Sequence, residues 1–412
     1  MQANHTVPTG WRLELLDNLA KRGSGHTPDK TKPDYWNGGI KWISLADSSQ
    51  LDNGYIHATD KEISTEGLKN SSAVLHPAET VVLSRDAGVG KSAVMAEPMA
   101  VSQHFMAWQC DNQHTLSSWF LYYWLQMMKP EFERQAVGST IKTIGLPYFK
   151  KLKILAPGLT EQTKIAKILS TWDKAIATTE RLLANSQQQK QALMQQLLTG
   201  QKRFAEFTDD WMTVEFDQLL GIEIGGTPSR SNPAYWDPEK TTSNRWLSIA
   251  DLKGNLITDT SEYISDLGAA KSNTKLIPAG TIVMSFKLTI GRRAILAADT
   301  YTNEAICAFN IKDPKRLSND FLFHALCLVN FEEDIDQAVK GKTLNKAKLK
   351  QLRLNLPSLP EQQKIAQLLS TADAEIANLQ AQLAALKLEK KALMQQLLTG
   401  QRRVKPDADA AA

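Results

Sequence analysis

The string ALMQQLLTGQ occurs twice in this chain, at Ala192–Gln201 and again at Ala392–Gln401. Ten identical residues do not recur by chance, so a segment or a whole unit has been duplicated. The match continues upstream at the same spacing, because EQTKIAKILSTWDKAIA at Glu161–Ala177 resembles EQQKIAQLLSTADAEIA at Glu361–Ala377. The fold must therefore accommodate two copies of one unit.

The duplication extends through the whole chain, although the regions before the repeated tails have diverged. KPDYW at Lys32–Trp36 corresponds to NPAYW at Asn232–Trp236, and WISLAD at Trp42–Asp47 corresponds to WLSIAD at Trp246–Asp251. Some constraint keeps the tails alike while the heads differ. We predict a first head (1–155), a first helical region (156–204), a second head (205–355), a second helical region (356–404) and a disordered tail (405–412).

Each tail carries core positions at alternating spacings of four and three, which is the heptad pattern of a coiled coil. In the first copy the heptad pattern is weaker, because the polar residues Thr179 and Ser186 occupy core positions. Lys190 and Lys390 occupy matching core positions, where they either set the register at a cost in stability or reach out to solvent. The predicted helix-pair interface comprises Ile165, Leu169, Trp172, Ile176, Leu183, Leu193, Leu197, Ile365, Leu369, Ile376, Leu379, Leu383, Leu386, Leu393 and Leu397.

Two long helices in one chain can pair with each other or with helices of a second chain. Thr160 can cap the first helix and Pro360 suits the first turn of the second. Gly200 and Gly400 stand where a helix commonly ends with a left-handed residue. Because both helices belong to one chain, we predict an intramolecular antiparallel pair.

The heads alternate short apolar runs with turn signals, which is typical of strands. ETVVLS at Glu79–Ser84 and GTIVMS at Gly280–Ser285 predict buried strands. SSWFLYYWLQMM at Ser117–Met128 and SNDFLFHALCLV at Ser318–Val329 predict helices opened by serine. The predicted fold class is α+β, with two tandem heads joined by two long helices paired as an antiparallel coiled coil.

The sequence contains no recognisable catalytic constellation. GVGKS at Gly88–Ser92 is not a phosphate-binding loop, because Arg85 stands where the first glycine is required. NPAYW lacks the second proline of the adenine-methyltransferase NPPY string, so we interpret it as a turn with a buried Tyr–Trp pair. The seven histidines show no metal-ligand spacing, so we predict no metal site.

Composition excludes an exported or membrane-spanning chain and leaves nucleic-acid binding open. The formal net charge of +4 permits DNA binding but does not require it. The three cysteines are isolated, which predicts a reduced, cytoplasmic protein. The chain has no run of 18 apolar residues and no signal-peptide core, so we expect no membrane association.

Basic residues recur at two loop positions that the heads share. Glycines at Gly88, Gly90 and Gly291 allow a backbone N–H to approach a ligand, and neighbouring cations suit phosphate contacts. A solvated loop would show such residues singly, but their recurrence in both heads favours DNA contact. The predicted DNA-binding residues are Arg85, Lys91 and Lys142 in the first head and Lys287, Arg292, Arg293, Lys342 and Lys346 in the second, with Lys340 and Lys348 nearby.

The whole pattern resembles the DNA-specificity subunit of a Type I restriction–modification system. The resemblance is carried by the G-x-TP…YW openings, by LSRDAGVGKSAV and MSFKLTIGRRAI, and by tails of the form PEQQKIAQLLSTAD…ALMQQLLTGQRR. It covers essentially the whole chain, in the order head, helix, head, helix. One departure is LAPGLTEQ, which lacks the proline before Glu161 and leaves that helix start less defined.

The resemblance implies that each head is a target-recognition domain reading one half of a split double-stranded DNA site. It also implies a helical spacer, two methyltransferase subunits docked on the assembly, and restriction–translocase subunits joined through them. S-adenosylmethionine would then belong to the methyltransferases, and ATP with Mg²⁺ to the motor subunits, with no cofactor in this chain. A coiled-coil adaptor that binds two proteins through its heads is the alternative, and an enzyme with its own chemistry is disfavoured by the missing motifs. The bases that each head reads are not identifiable from the sequence.

Overall fold

The computed structural model describes residues 7–329, 331, 336–338 and 341–405. The chain divides into two compact units, one made of residues up to Glu180 together with those from Ala381 onward, and one made of Arg181–Gln380. We call them unit 1 and unit 2. The linear domain bounds predicted from the sequence stay predictions, and the tail beyond Lys405 lies outside the described residues.

Unit 1 is built on two mixed sheets and a strand pair. Its sheets follow the orders β2-β10-β7-β8-β4, β5-β3-β9-β6 and β1-β11. Most neighbours are antiparallel, while β3–β9 and β4–β8 are parallel. These strands are β1 (Arg12–Leu15), β2 (Ala20–Ser24), β3 (Trp36–Ile43), β4 (Tyr55–Ile56), β5 (Lys61–Ile63), β6 (Leu75–His76), β7 (Val81–Ser84), β8 (Ser92–Met95), β9 (Met99–Val101), β10 (Phe105–Cys110) and β11 (Lys153–Ala156).

Unit 2 repeats this architecture strand for strand. Its sheets follow the orders β13-β21-β18-β19-β15, β16-β14-β20-β17 and β12-β24, with an additional pair β22-β23. Its strands are β12 (Met212–Glu215), β13 (Leu220–Ile224), β14 (Arg245–Leu247), β15 (Leu256–Ile257), β16 (Glu262–Tyr263), β17 (Leu276–Ile277), β18 (Ile282–Ser285), β19 (Arg293–Leu296), β20 (Thr300–Thr302), β21 (Ile306–Ile311), β22 (Asp336–Ala338), β23 (Gly341–Thr343) and β24 (Arg353–Leu356). The duplication inferred from the sequence is therefore a duplication of fold.

Helices cover the sheets and continue into the tails. Ser117 and Ser318 cap α3 and α8, as predicted, because each side-chain oxygen accepts a hydrogen bond from a backbone N–H three residues on. The helices are α1 (Leu16–Leu19), α2 (Thr65–Lys69), α3 (Ser118–Gln135), α4 (Leu146–Lys150), α5 (Leu159–Leu198), α6 (Phe216–Leu219), α7 (Asp266–Lys271), α8 (Asn319–Ala325), α9 (Lys346–Gln351) and α10 (Leu359–Leu398). Short 3₁₀ turns lie at Pro33–Tyr35, Leu45–Ser49, Pro233–Tyr235 and Ile249–Asp251.

Two helix ends differ from those predicted. Helix α3 was predicted to end at Met128, but it continues through Pro130 to Gln135. The proline removes one backbone hydrogen bond, and the full burial of Phe132 in the core favours continuing the helix. Helix α8 ends four residues before the predicted Val329, because the next backbone bonds tighten to the i−3 pattern at Cys327 and Leu328.

The predicted buried strands are confirmed as β7 and β18, whose side chains are all buried.

The YW motifs form turns as predicted, but the predicted Tyr–Trp pair is wrong. Trp36 instead packs edge-on against Trp42, with ring centroids 5.2 Å apart. The equivalent tryptophans of unit 2 pack in the same way at 5.1 Å. Tyr35 is half-buried, and the Lys32 ammonium lies 5.7 Å from its ring.

The long helices α5 and α10 contain 40 residues each, which corresponds to about 60 Å of helix. In unit 1, Asp173 pairs with Lys390, and Glu180 lies 2.7 Å from Lys387. The partner numbers fall as the numbers in α5 rise, so the helices are antiparallel, as predicted. Helix α5 begins at Leu159, so Thr160 lies in the first turn and is not the predicted cap.

Candidate nucleic-acid interface

A glycine-containing loop joins β7 to β8 in unit 1, and the corresponding loop of unit 2 is closed by the same backbone hydrogen bonds. Ser84 N–H donates to Lys91 O at 2.8 Å, and Ser285 N–H donates to Arg292 O at 2.8 Å. Gly90 and its counterpart Gly291 have φ of +86° and +87°, which favours glycine. A Cβ at Gly90 would also lie 2.8 Å from the Lys129 side chain.

The segment near the end of each head reaches the same loop. Ile144 N–H donates to Arg85 O at 3.0 Å in unit 1, and Leu344 N–H donates to Phe286 O at 3.1 Å in unit 2. Lys142 and Lys346 each lie two residues from these contacts. The two sets of cations that the sequence singled out are therefore neighbours within each head.

The last cation of each loop faces the turn that follows the WxSxAD motif. In unit 1, the Lys91 ammonium donates to the backbone oxygen of Ser48 at 2.9 Å and to its hydroxyl at 3.2 Å. In unit 2, Arg292 is exposed and lines an open groove with exposed Lys253 and with Asn255. This groove offers a DNA backbone phosphate a place between two cations.

The ends of the long helices are held by a reciprocal pair of ion pairs in which the carboxylates are buried and the guanidinium groups are partly exposed. In unit 2, Nε and Nη2 of Arg203 donate to the two oxygens of the Glu361 carboxylate, at 2.9 and 2.7 Å. In unit 1, Arg403 binds Glu161 in the same way, at 2.9 Å to each oxygen. An arginine five residues beyond the end of one helix thus binds a glutamate in the first turn of the other, and we call each pair a latch.

The neighbouring glutamine fixes the head to the helix start. The Gln162 amide accepts a hydrogen bond from Ser117 N–H at 2.9 Å and donates to the backbone oxygen of Pro157 at 2.9 Å. Gln362 makes the corresponding bonds to Ser318 N–H and Pro357 O, each at 2.9 Å. The Glu-Gln pair therefore joins the helix pair to the head in both units.

In the described part of the chain, no helix is both long and apolar enough to cross a membrane. Among the same residues, no three histidine, cysteine, aspartate or glutamate side chains are grouped so that they could hold a metal ion. The features shared by both units are therefore the cationic loop, the helix pair and the latches.

A family model described as the Type I restriction modification DNA specificity domain matches residues 8–185 and 208–388. These two matches cover most of the chain and coincide with its two repeats. The chain belongs to this family. It is a DNA-specificity subunit, a non-catalytic component of a Type I restriction–modification enzyme, and the coiled-coil adaptor alternative is not favoured.

Individual relatives match this chain across about two thirds of its length or nearly all of it. The MjaIX specificity subunit of Methanocaldococcus jannaschii is 23% identical and covers 97% of this chain and 95% of its own. The EcoR124I/EcoR124II specificity subunit of Escherichia coli is 28% identical over 65% of this chain and 66% of its own. Among solved structures, the S subunit from M. genitalium superposes with a TM-score of 0.60 at 14% identity, covering 94% of this chain and 96% of that one.

The predicted DNA-binding residues of the specificity subunit fall into two groups. Lys142, Arg292 and Lys346 are exposed, and Lys287 is half-buried with its ammonium 5.4 Å from the Phe286 ring. Arg85, Lys91 and Arg293 instead make contacts within their own heads. Arg85 donates to Ile144 O at 3.1 Å and Arg293 to Phe323 O at 2.6 Å. The side chain of Lys342 and all of Lys340 lie outside the described residues.

The predicted helix-pair residues of the specificity subunit are all buried or half-buried. Ile165, Leu169 and Leu397 also belong to the core of unit 1, so the helix ends pack on the head as well as on each other. Lys190 and Lys390 bind Asp373 and Asp173 across the pair. Of the two readings offered for these lysines, this geometry favours the one in which they set the register.

Sequence reasoning missed the latches and an acidic residue in the loop. Asp86 binds His104 at 2.6 Å, so the unit 1 loop carries a carboxylate where unit 2 carries Lys287. The latch residues had a signal in the sequence, because glutamate, glutamine and arginine recur in both tails at positions without a core role. A heptad pattern is defined by its apolar positions, so the recurrence of these polar residues indicated only that the two tails are similar.

Proposed function

We propose that each head reads one half of a bipartite asymmetric DNA site and that the helix pair sets the number of unread base pairs between the halves. The observation that carries the proposal is a loop that is closed by the same backbone hydrogen bonds in both heads but carries different side chains. Lys91 of the first head corresponds to Arg292 of the second, Asp86 corresponds to Lys287, and His104 corresponds to Ala305. A common frame with different side chains suits two heads that bind DNA alike but contact different bases.

A second difference between the heads supports this division. In unit 2, the Arg230 guanidinium lies 3.7 Å above the Trp236 ring and pairs with Glu262. The equivalent positions of unit 1 carry Lys30 and Lys61, so the tryptophan pair is retained while the charge pattern around it changes. Conserving the tryptophan frame keeps the fold while the surface charge varies.

The proposed assembly extends to two methyltransferase (modification) subunits docked on the helix pair and restriction–translocase subunits joined through them, in the cytoplasm. Two nearly identical tails would present two equivalent docking surfaces, which supports a stoichiometry of two. S-adenosylmethionine would bind in the modification subunits, and ATP with Mg²⁺ in the motor subunits. This chain would then contribute recognition and no cofactor.

Replacing residues 1–155 with the head of another specificity subunit should change only one half of the recognised site. The exchange keeps Gln162, which bonds to the backbone of the head and therefore tolerates a different head sequence. Mapping adenine methylation in DNA exposed to the assembled enzyme measures both halves. The reciprocal exchange of residues 205–355 should change the other half, and alteration of both halves by one exchange would contradict the assignment.

Arg292→Ala should weaken DNA binding about equally on all sequences and lower the salt slope by about one unit, because a phosphate contact releases one counterion. Lys91→Ala, the corresponding change in unit 1, should lower the slope less, because the Lys91 ammonium donates to Ser48 within its own head. Titrating duplex DNA at several salt concentrations measures the slope. Arg293→Ala is the matched control, since that guanidinium bonds within the head and its loss should lower stability more than it changes the slope. An unchanged slope for Arg292→Ala would mean that the loop is only solvated.

A further inference from the structure

An open groove of about 680 Å³ lies in unit 1 where the start of α5 meets the end of α10. Its apolar wall includes Ile168, Trp172 and Leu393, and Arg402 and Lys405 lie along its rim. Both of these cations are exposed, while the three apolar side chains are half-buried. The groove therefore combines an apolar floor with a positively charged edge.

In unit 2 the chain itself covers the equivalent surface. Phe204, which follows the latch arginine, packs against the core of unit 2. The Lys364 ammonium lies 4.6 Å above the Phe204 ring and pairs with Glu206. Phe207 packs edge-on against Phe204, with centroids 6.4 Å apart. An aromatic residue and a carboxylate two positions later thus close this surface.

Unit 1 lacks both of these residues. Val404 stands at the position of Phe204, and proline stands in the sequence at the position of Glu206. The floor is also more apolar, because Trp172 takes the place of Ala372, and Lys405 takes the place of Ala205. In unit 1, Val404 also packs against the core, and the Lys164 ammonium donates to Lys405 O at 2.8 Å. Among the described residues the smaller valine leaves the groove open, with an additional aromatic side chain and an additional positive charge.

We propose that the unit 1 groove binds a segment of a protein partner in which an aromatic side chain precedes a carboxylate by two positions. The aromatic ring packs beside Val404, against Trp172, Ile168 and Leu393. The carboxylate faces the positive rim. Aromatic anchors in a desolvated pocket dominate the affinity of such contacts, and charge complementarity fixes their orientation.

The chain supplies its own probe, because residues 204–209 (FAEFTD) form the covering segment of unit 2. A fluorescein-labelled peptide of this sequence should bind the full-length chain saturably in fluorescence anisotropy. The Phe204→Ala peptide should bind about tenfold more weakly, since it loses the buried ring. The Glu206→Gln peptide should bind severalfold more weakly and with less dependence on salt.

Two variants of the chain locate the site. Trp172→Ala introduces the alanine that unit 2 has at the corresponding position, and it should weaken peptide binding about tenfold. Leu368→Ala is the control, because Leu368 is the unit 2 counterpart of Ile168, and it should leave peptide binding unchanged. Val404→Phe combined with Pro406→Glu supplies the covering residues within the chain and should abolish binding. Thermal melts confirm that each variant is folded.

Peptide binding that is absent from the parent chain, or unaffected by both Trp172→Ala and the double variant, would overturn the proposal. A chain lacking residues 406–412 tests whether the chain's own terminus, rather than a partner, occupies the groove. If its removal increased affinity about tenfold or more, the groove would be occupied by the chain's own terminus and the proposal would be wrong. The assay contains no DNA, so its result is independent of the DNA-reading proposal.

Discussion

Inserting seven helix-forming residues after Glu180 and after Gln380 should nearly abolish site-specific methylation by the assembled enzyme. The insertion adds about 10.5 Å of helix, or roughly three base-pair steps, while a complete heptad turns the following head hardly at all. Three steps of DNA turn by about 100°, which moves the groove away from that head. Methylation mapping on a library of sites with varied spacers measures the loss.

Inserting four residues at the same two points should instead shift the preferred spacer by one or two base pairs. Four residues add about 6 Å and advance the helix by about 40° beyond one turn, against roughly 70° for two base-pair steps. The seven-residue variant preserves the heptad pattern better, so misfolding cannot explain why it alone loses activity. A four-residue variant that kept the original spacer would show that the helices do not measure the distance.

Arg203→Ala should lower the melting temperature of the purified chain by roughly 5 °C or more, because it leaves the Glu361 carboxylate buried without its cation. Glu361 has a fully buried side chain, and of its donors among the described residues Trp211 Nε1–H would remain, at 3.2 Å. Differential scanning calorimetry measures the shift. Lys202→Ala is the matched control, since that neighbouring side chain is exposed and should change little.

The equivalent change in unit 1 should have a smaller effect that depends on pH. Burial alone would raise the pKa of Glu161, but hydrogen bonds from Arg403 and the Val404 backbone outweigh it and hold the pKa below its ordinary value. A lowered carboxyl pKa stabilises the fold at neutral pH and loses that contribution as the pH falls through it. The stability difference between the parent chain and Arg403→Ala should therefore be largest near pH 7 and shrink below about pH 4.5. A difference that is constant across this range would contradict the role assigned to the Glu161 carboxylate.

The latches suggest a second reason for the identity of the two tails. Two equivalent docking surfaces could be formed by similar tails without any particular polar residue. Reciprocal binding of Arg403 to Glu161 and Arg203 to Glu361 does require both residues in both copies. A change in one tail would break the contact with the other, so the pairs constrain each other's sequence.

Periodic features of the sequence were predicted well. The heptad pattern gave the helix pair, and Gly200 and Gly400 gave its ends, since both have φ of +73°. Short apolar runs gave β7 and β18, because a strand buried on both faces leaves no room for polar residues. Such features depend on neighbours in the chain, which is the information that a single sequence carries.

Contacts between distant residues were not predicted. Arg85 and Arg293 look like free cations in the sequence, yet each guanidinium is bound to a backbone oxygen from another segment of its head. The partner of Trp36 is another tryptophan on the same strand that a turn brings within reach. No local pattern distinguishes an exposed cation from one that is held by a loop.

The sequence by itself determined the two-fold duplication, the α+β class and the two long helices with a heptad pattern, because each follows from repetition or periodicity along the chain. Only the tertiary structure decided which cations of the loops are exposed, which residues latch the helix ends, and why unit 1 keeps an open groove where unit 2 is covered. These depend on the packing of segments far apart in the chain. A buried carboxylate such as Glu361 is stable only where a guanidinium reaches it, and that proximity is a property of the fold.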